Sequence, residues 1–198
     1  MGSTVYAIDP AVKRNYTVND YIRNTTREHQ EKVGKIRLHP SGIYVNPLAM
    51  RARDIRIVDI AHHLSNLCRY TGACPKHYSV AHHSILVSMQ LEEEGAPRPL
   101  QLAGLLHDAG EYVFNDIASP VKKDPRMKWY RDLEHETTRM IFCVFGLDPD
   151  LLALTKPADD ALFHAEVATW WGGRDLIAPV RPFEAEIAFL TRFKELTE

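Results

Sequence analysis

The sequence predicts an all-α protein, an orthogonally packed helical bundle with one small β-hairpin ahead of it. Three observations carry that expectation. Apolar residues recur at helical spacing through most of the chain beyond position 54, only residues 36–46 alternate apolar with polar side chains, and no repeat or low-complexity segment interrupts the pattern.

The elements follow in order. Residues 17–33 read as a polar, charged helix with Thr17 or Asn19 as N-cap, packing on the surface or against another subunit. Residues 36–46 form the hairpin, turning at Pro40-Ser41-Gly42. A helix over 54–67 places Ile57, Ile60, Ala61 and Leu64 on one face, and helices over 80–91 and 100–108 follow, divided by residues 92–99. A long helix over 127–145 ends at Gly146, a short one covers 149–156, another 159–171, and the last 182–196. In such a bundle, side chains from several helices meet in a central site.

At 198 residues the chain suits one domain with a single sizeable core. A hydrophobic fraction of 45%, a charged fraction of 25% and a net charge of −2 describe an ordinary globular enzyme, with no global pull toward polymeric nucleic acid or a membrane. Cys68, Cys74 and Cys143 form no CxxC pair, so neither a disulfide framework nor a thiolate zinc site is expected. With no signal peptide at Met1 and no apolar stretch of membrane-spanning length, the expected location is the cytoplasm, of a host cell if the chain is phage-encoded.

The chemistry concentrates at Leu106-His107-Asp108. The run from Leu100 to Leu106 is too apolar for an exposed segment, so it delivers two ionisable residues into the interior at its carboxyl end. A plain helix C-terminus would explain His107 and a capping Gly110, but it leaves Asp108 at the unfavourable end of the macrodipole. An unpaired buried carboxylate is expensive, and a divalent cation resolves the conflict. Ligands would come from His107, Asp108, an upstream histidine and a downstream aspartate. His82 and His83 sit side by side on a helix apolar on both faces, and Asp159 stands next to Asp160, so periodicity leaves each choice open. Two imidazoles with two carboxylates suit Mn, Fe, Co, Ni or Zn, and accept Mg less tightly. Glu111 and Asp116 read equally as a short helix and its exit turn or as acids beside the ion.

The stretches Tyr78-Ser79-Val80-Ala81-His82-His83-Ser84, Leu105-Leu106-His107-Asp108-Ala109-Gly110-Glu111, Asp116-Ile117-Ala118-Ser119-Pro120-Val121-Lys122 and Ala158-Asp159, with Glu166 beyond, resemble the HD-domain metal-dependent phosphohydrolases, motif by motif and in the same order. Within that superfamily the chain is similar to the 5'-deoxynucleotidases and the phage dATP triphosphohydrolases. The resemblance runs from about Ser41 to Glu166, which leaves residues 1–40 as an extension to a catalytic core over 41–198. It implies an HD-type bundle and selects His83, His107, Asp108 and Asp159 as ligands of one divalent transition metal, with Mg possible on the substrate phosphates. It also implies that Glu111 orients the attacking water, that Asp116 handles its proton, and that Arg69, Tyr70, Pro120 and Lys122 contact a deoxynucleotide. Lys123 is an alternative to Lys122. A homo-oligomer, dimer or hexamer, is the implied assembly, whereas Trp129, Tyr130, Trp170 and Trp171 are expected in the core or at subunit contacts.

The expected substrate is dATP, losing its phosphates together as tripolyphosphate, with dAMP as runner-up. A monophosphate carries about two negative charges and a triphosphate about four, so a lysine at position 122 in addition to Arg69 favours the longer chain. A catalytically silent nucleotide-binding module is the competing class, and retention of both Glu111 and Asp116 argues against it.

Overall fold

Ile36 and Arg37 (β1) pair antiparallel with Tyr44 and Val45 (β2), in the register Ile36 with Val45 and Arg37 with Tyr44. The computed structural model describes residues 34–198, so the helix expected over 17–33 lies outside the described residues. The hairpin is as expected from the alternation around Pro40-Ser41-Gly42, with Gly42 at φ +74° where an L side chain would be strained. Leu38 and Val45 plug its inner face into the core, and the Ser41 amide donates to Asp59 Oδ1 at 2.9 Å.

All remaining regular structure among the described residues is helical. Helix α1 (Ile57–Asn66) starts three residues later than its pattern suggests, because Ala52–Asp54 forms a separate 3₁₀ turn and Arg56 is extended. Its Ile60, Ala61 and Leu64 are fully buried, which is the face read from the sequence. Helix α2 (Val80–Glu93) is capped by Ser79, whose Oγ accepts from the His82 amide at 3.1 Å. Helix α3 (Arg98–Leu106) packs along α2 more extensively than any other pair. A Cβ on Gly104 would meet Leu91 Cδ1 at 2.6 Å, so the small residue permits this close approach.

Two short helices follow, α4 (Glu111–Phe114) and α5 (Ser119–Lys122), then α6 (Lys128–Val144), which ends at Gly146 with φ +75°. Helix α7 (Leu151–Leu154) leads into α8 (Lys156–Trp170), and α9 (Pro182–Thr197) closes the chain. Helix α9 lies against α1, α2 and α3, where Ala185 and Phe189 are buried. There Arg192, itself buried, donates to Ser88 Oγ at 3.0 Å and Gln101 Oε1 at 2.9 Å, tying α9 to both central helices.

Residues Ile36–Glu198 make one compact unit, mostly helical with a single two-stranded sheet. Cys68, Cys74 and Cys143 are free thiols. No described helix is long and apolar enough to cross a membrane.

Candidate metal centre

Helix α2 is buried on both faces, which explains why its periodicity could not choose between His82 and His83. Packing separates them. The His83 ring is completely buried and faces His107, whereas His82 stacks edge-on against Tyr78, and desolvation pulls its pKa down to about 4. Helix α3 ends at Leu106, yet His107 keeps helical backbone angles, so its ring projects back along the helix and Nδ1 donates to the Gly104 carbonyl at 2.8 Å. Asp108 follows where the chain turns toward α4, and Asp159 comes from the first turn of α8.

These residues converge. His83 Nε2 stands 3.3 Å from His107 Nε2, 3.2 Å from Asp159 Oδ1 and 3.7 Å from Asp108 Oδ2. His107 Nε2 stands 3.2 Å from Asp108 Oδ2 and 3.8 Å from Asp159 Oδ1. Donor atoms on one ion with bonds of about 2.1 Å would lie about 3.0 Å apart in an octahedral site and about 3.4 Å apart in a tetrahedral one. The shorter separations match donors on one ion, and His83, His107 and Asp159 form a group that could hold a metal ion, with Asp108 beside it against His107.

Tautomers reinforce the point. His83 Nδ1 donates to Glu166 Oε1 at 2.6 Å and His107 Nδ1 to a carbonyl, so both rings turn Nε2 toward the same point, and in the neutral form of each ring that nitrogen is the one with a free lone pair. Two lone pairs at that distance repel unless a proton or a metal ion lies between them. The surrounding field favours one. Burial opposes a charged His107, but Asp108 and Asp159 outweigh it and raise its pKa, and the same negative charge would hold a metal. Burial likewise opposes ionisation of Asp108 and Asp159, yet the two histidines keep both carboxyls below their usual range.

Glu166 is the hub behind the site. Fully buried on α8, it accepts from His83, from Tyr78 Oη at 2.7 Å, from Arg69 Nη2 at 3.0 Å and from Tyr70 Oη. Burial alone would raise its carboxyl, but the His83 hydrogen bond leads a set of interactions that hold it at about 2. Arg69 lies beyond α1 on a separate turn (Arg69–Gly72), and its amide donates to the Tyr78 carbonyl at 2.9 Å. Tyr70 and Thr71 both take left-handed angles there, φ +55° and +54°. Arg69 Nη1 also reaches to 3.6 Å from Asp108.

A pocket of about 660 Å³ opens above this floor. Arg69, Tyr70, Glu111, Asp116, Pro120 and Lys122 all line it together with Asp108 and Asp159. Glu111 is the first residue of the short helix α4, as one of its sequence readings has it, and it also lines the pocket. Its Oε1 accepts from Lys122 at 3.2 Å while Oε2 is buried without a partner. Burial, then the charge of Asp108, pushes the Glu111 carboxyl well above the carboxylate range. Burial also raises Asp116 above its ordinary value.

No family model matches the chain. The uncharacterized protein YfdR of Escherichia coli is 31% identical over 160 residues, which cover 73% of this chain and 86% of YfdR. The chain belongs to the YfdR family. A second relative, an uncharacterized protein of Rhodobacter capsulatus, is 38% identical over 122 residues, 60% of this chain and 62% of that protein.

Three residues of this YfdR family member escape a reading of its sequence. Glu134 on α6 accepts from Lys122 Nζ at 2.5 Å, so the ammonium lies between two acids. Lys156 holds Asp159 Oδ2 at 2.9 Å, which turns Oδ1 to the histidines; its other partner is Asp160 at 2.5 Å. Gly110, read as a helix cap, has right-handed angles, φ −57° and ψ −28°. Its missing Cβ lets α6 approach: the atom would lie 2.5 Å from Thr138 Oγ1 and 2.8 Å from the Glu134 carbonyl.

Proposed function

We propose that the chain is an HD-domain hydrolase that uses one divalent metal to cleave the 5'-phosphoester of a deoxynucleotide. The observation that carries this reading is the convergence of two imidazole Nε2 atoms and Asp159 Oδ1, with Asp108 Oδ2 beside His107, next to a pocket lined by both acids and cations. His83, His107, Asp108 and Asp159 would hold the ion, and their nitrogen and oxygen donors suit Mn, Fe, Co, Ni or Zn. When bound, the ion neutralises charge on phosphoryl oxygens and makes water a better nucleophile.

The protein's own residues supply the rest. Glu111 Oε2, buried and without a protein partner, orients the attacking water, and Lys122 keeps the carboxyl in place through Oε1. Asp116 takes the proton that the water loses. Arg69, tied behind to Glu166, offers its guanidinium to the phosphate. The bond from water oxygen to phosphorus forms as the phosphorus to 5'-oxygen bond breaks, and the proton held on Asp116 passes to the leaving 5'-oxygen, which departs as the nucleoside hydroxyl.

Charge balance bears on the length of the phosphate chain. Four cationic side chains, Arg69, Lys122, Lys123 and Lys156, face five acidic ones, Asp108, Glu111, Asp116, Asp159 and Asp160, so a divalent ion leaves the described lining at a formal +1. A phosphate monoester carries about two negative charges, which this site matches far better than a triphosphate. Lys122, on which the longer chain was expected to rest, is already shared by Glu111 and Glu134. The favoured substrate is therefore a deoxynucleoside monophosphate. Lys123 and Lys156 on the rim are what favour the second reading, dATP to deoxyadenosine and tripolyphosphate.

Incubation of the purified protein with each deoxynucleoside mono- and triphosphate, with Mn, Co or Mg, and chromatography of the products tests this. Nucleoside with single phosphate from monophosphates is the expected result. Tripolyphosphate from dATP would move the assignment to the triphosphohydrolase, and no release from any nucleotide with any metal would leave a nucleotide-binding module.

A further inference from the structure

Large aromatic rings stand exposed beside the charged floor of the pocket. Phe163 is 43% and Trp171 52% exposed, and both line the cavity. Between them stands Tyr70, its ring edge-on to Trp171 with centroids 5.1 Å apart and tilted 33° to Phe163 at 6.4 Å. Tyr70 is rigid, since its hydroxyl is held by Glu166 and its backbone lies in a closed turn. Trp170, the neighbour of Trp171, instead turns inward against Tyr78. Val167 lies on the same exposed strip of α8 but outside the pocket, so the two rings are set apart by where they face.

The spacing fits a ligand with two unlike ends. Phe163 follows Asp159 by one turn on the same face of α8, which places the ring about 6 Å along the helix from a carboxylate of the metal group. A site with ions at its floor and aromatic faces at its wall suits a molecule charged at one end and planar at the other.

We propose that Phe163 and Trp171, backed by Tyr70, form the platform on which the base of the nucleotide stacks. The inference rests on the deoxynucleotide-hydrolase reading for the identity of its ligand. It assigns to Trp171 a role the sequence does not suggest, and it makes the rings, rather than the phosphate contacts, the source of preference for a nucleotide over a bare sugar phosphate.

The test compares dAMP with 2-deoxyribose 5-phosphate, which keeps the ester and sugar but has no base. In Phe163→Ala/Trp171→Ala, the ratio of kcat/KM for dAMP over deoxyribose 5-phosphate should fall on the order of tenfold to a hundredfold, the effect of losing base stacking, while Trp171→Phe keeps it. A second measurement does not depend on turnover. Saturable quenching of tryptophan fluorescence by dAMP, absent with deoxyribose 5-phosphate, should require at least tenfold more dAMP in Phe163→Ala, which retains every tryptophan. If the protein hydrolysed neither compound but showed this quenching, the platform would stand and the hydrolase would fall. An unchanged ratio with unchanged quenching overturns the platform, as does a double variant that shifts from oligomer to monomer on gel filtration with its ratio intact.

Discussion

At a separation of 3.3 Å, two neutral imidazole nitrogens with Nδ1 protonated repel each other, and a proton or a metal ion between them reverses the sign. That makes the ligands and the acids separable by experiment. Asp108→Ala should lose the metal and all activity while keeping its far-UV helix signal; full occupancy by elemental analysis would contradict the assignment. Glu111→Gln should keep the metal and lose on the order of 10²-fold in turnover, the usual contribution of a positioned acid or base. Glu134 gives a prediction in pH. Its charge helps to raise the Glu111 carboxyl, so Glu111 ionises later than an ordinary carboxylate and activity should climb with pH through that raised value. In Glu134→Gln the neighbouring negative charge is gone and Lys122 serves Glu111 alone, so the acid limb of the kcat profile should move to lower pH. A limb that stayed or moved upward would disprove the coupling. The His107-Asp108 pair was legible because an apolar run ending in two ionisable residues demands compensation. The partners around that pair were not: Glu134 reaches Lys122 and Glu166 reaches His83 and Arg69 only once α6 and α8 have packed, whereas Lys156 meets Asp159 within one turn of α8.

Helices were legible as periodic stretches, and their ends were less so. Helix α1 begins at Ile57 because a 3₁₀ turn takes residues that continue its apolar spacing, and it ends at Asn66 because Leu67 and Cys68 are extended, so Arg69 starts a turn in which Tyr70 and Thr71 are left-handed, which no local composition announces. Gly110 shows what such misreadings hide. Its right-handed backbone suits any residue, so the glycine is there for space, and Gly110→Ala must push α6 away from the segment carrying His107 and Asp108. A loss of about 1–3 kcal/mol in thermal or urea unfolding is expected, with a fall in activity beyond it. Gly104→Ala is the control. Its Cβ meets the end of a flexible leucine rather than a backbone carbonyl, so it should cost less. Equal losses would show that the contact with α6 has no special stiffness.

Residues 36–198 are held by a core that α9 closes, and the group that could hold a metal draws its donors from α2, the end of α3 and α8. A metal binding only the folded state at a hundred times its Kd adds about 2.7 kcal/mol, so a chelator should lower Tm by roughly 5–10 °C for a chain of this size. An unchanged Tm after saturation with Mn, Co or Zn would rule the centre out. The mostly helical class and the hairpin could be read in advance because periodicity depends only on neighbours in the chain, whereas the pocket depends on three stretches, 69–73, 108–123 and 156–171, meeting. Glu166 has one consequence at this scale. It grips a ring that faces the metal position with one oxygen and the Arg69 guanidinium with the other, so ion and anion are linked through one carboxylate. Linkage is reciprocal: whatever factor the ion adds to affinity for an anion at Arg69, the anion returns to the ion. Under metal scarcity, the substrate itself then becomes the agent that retains the cation.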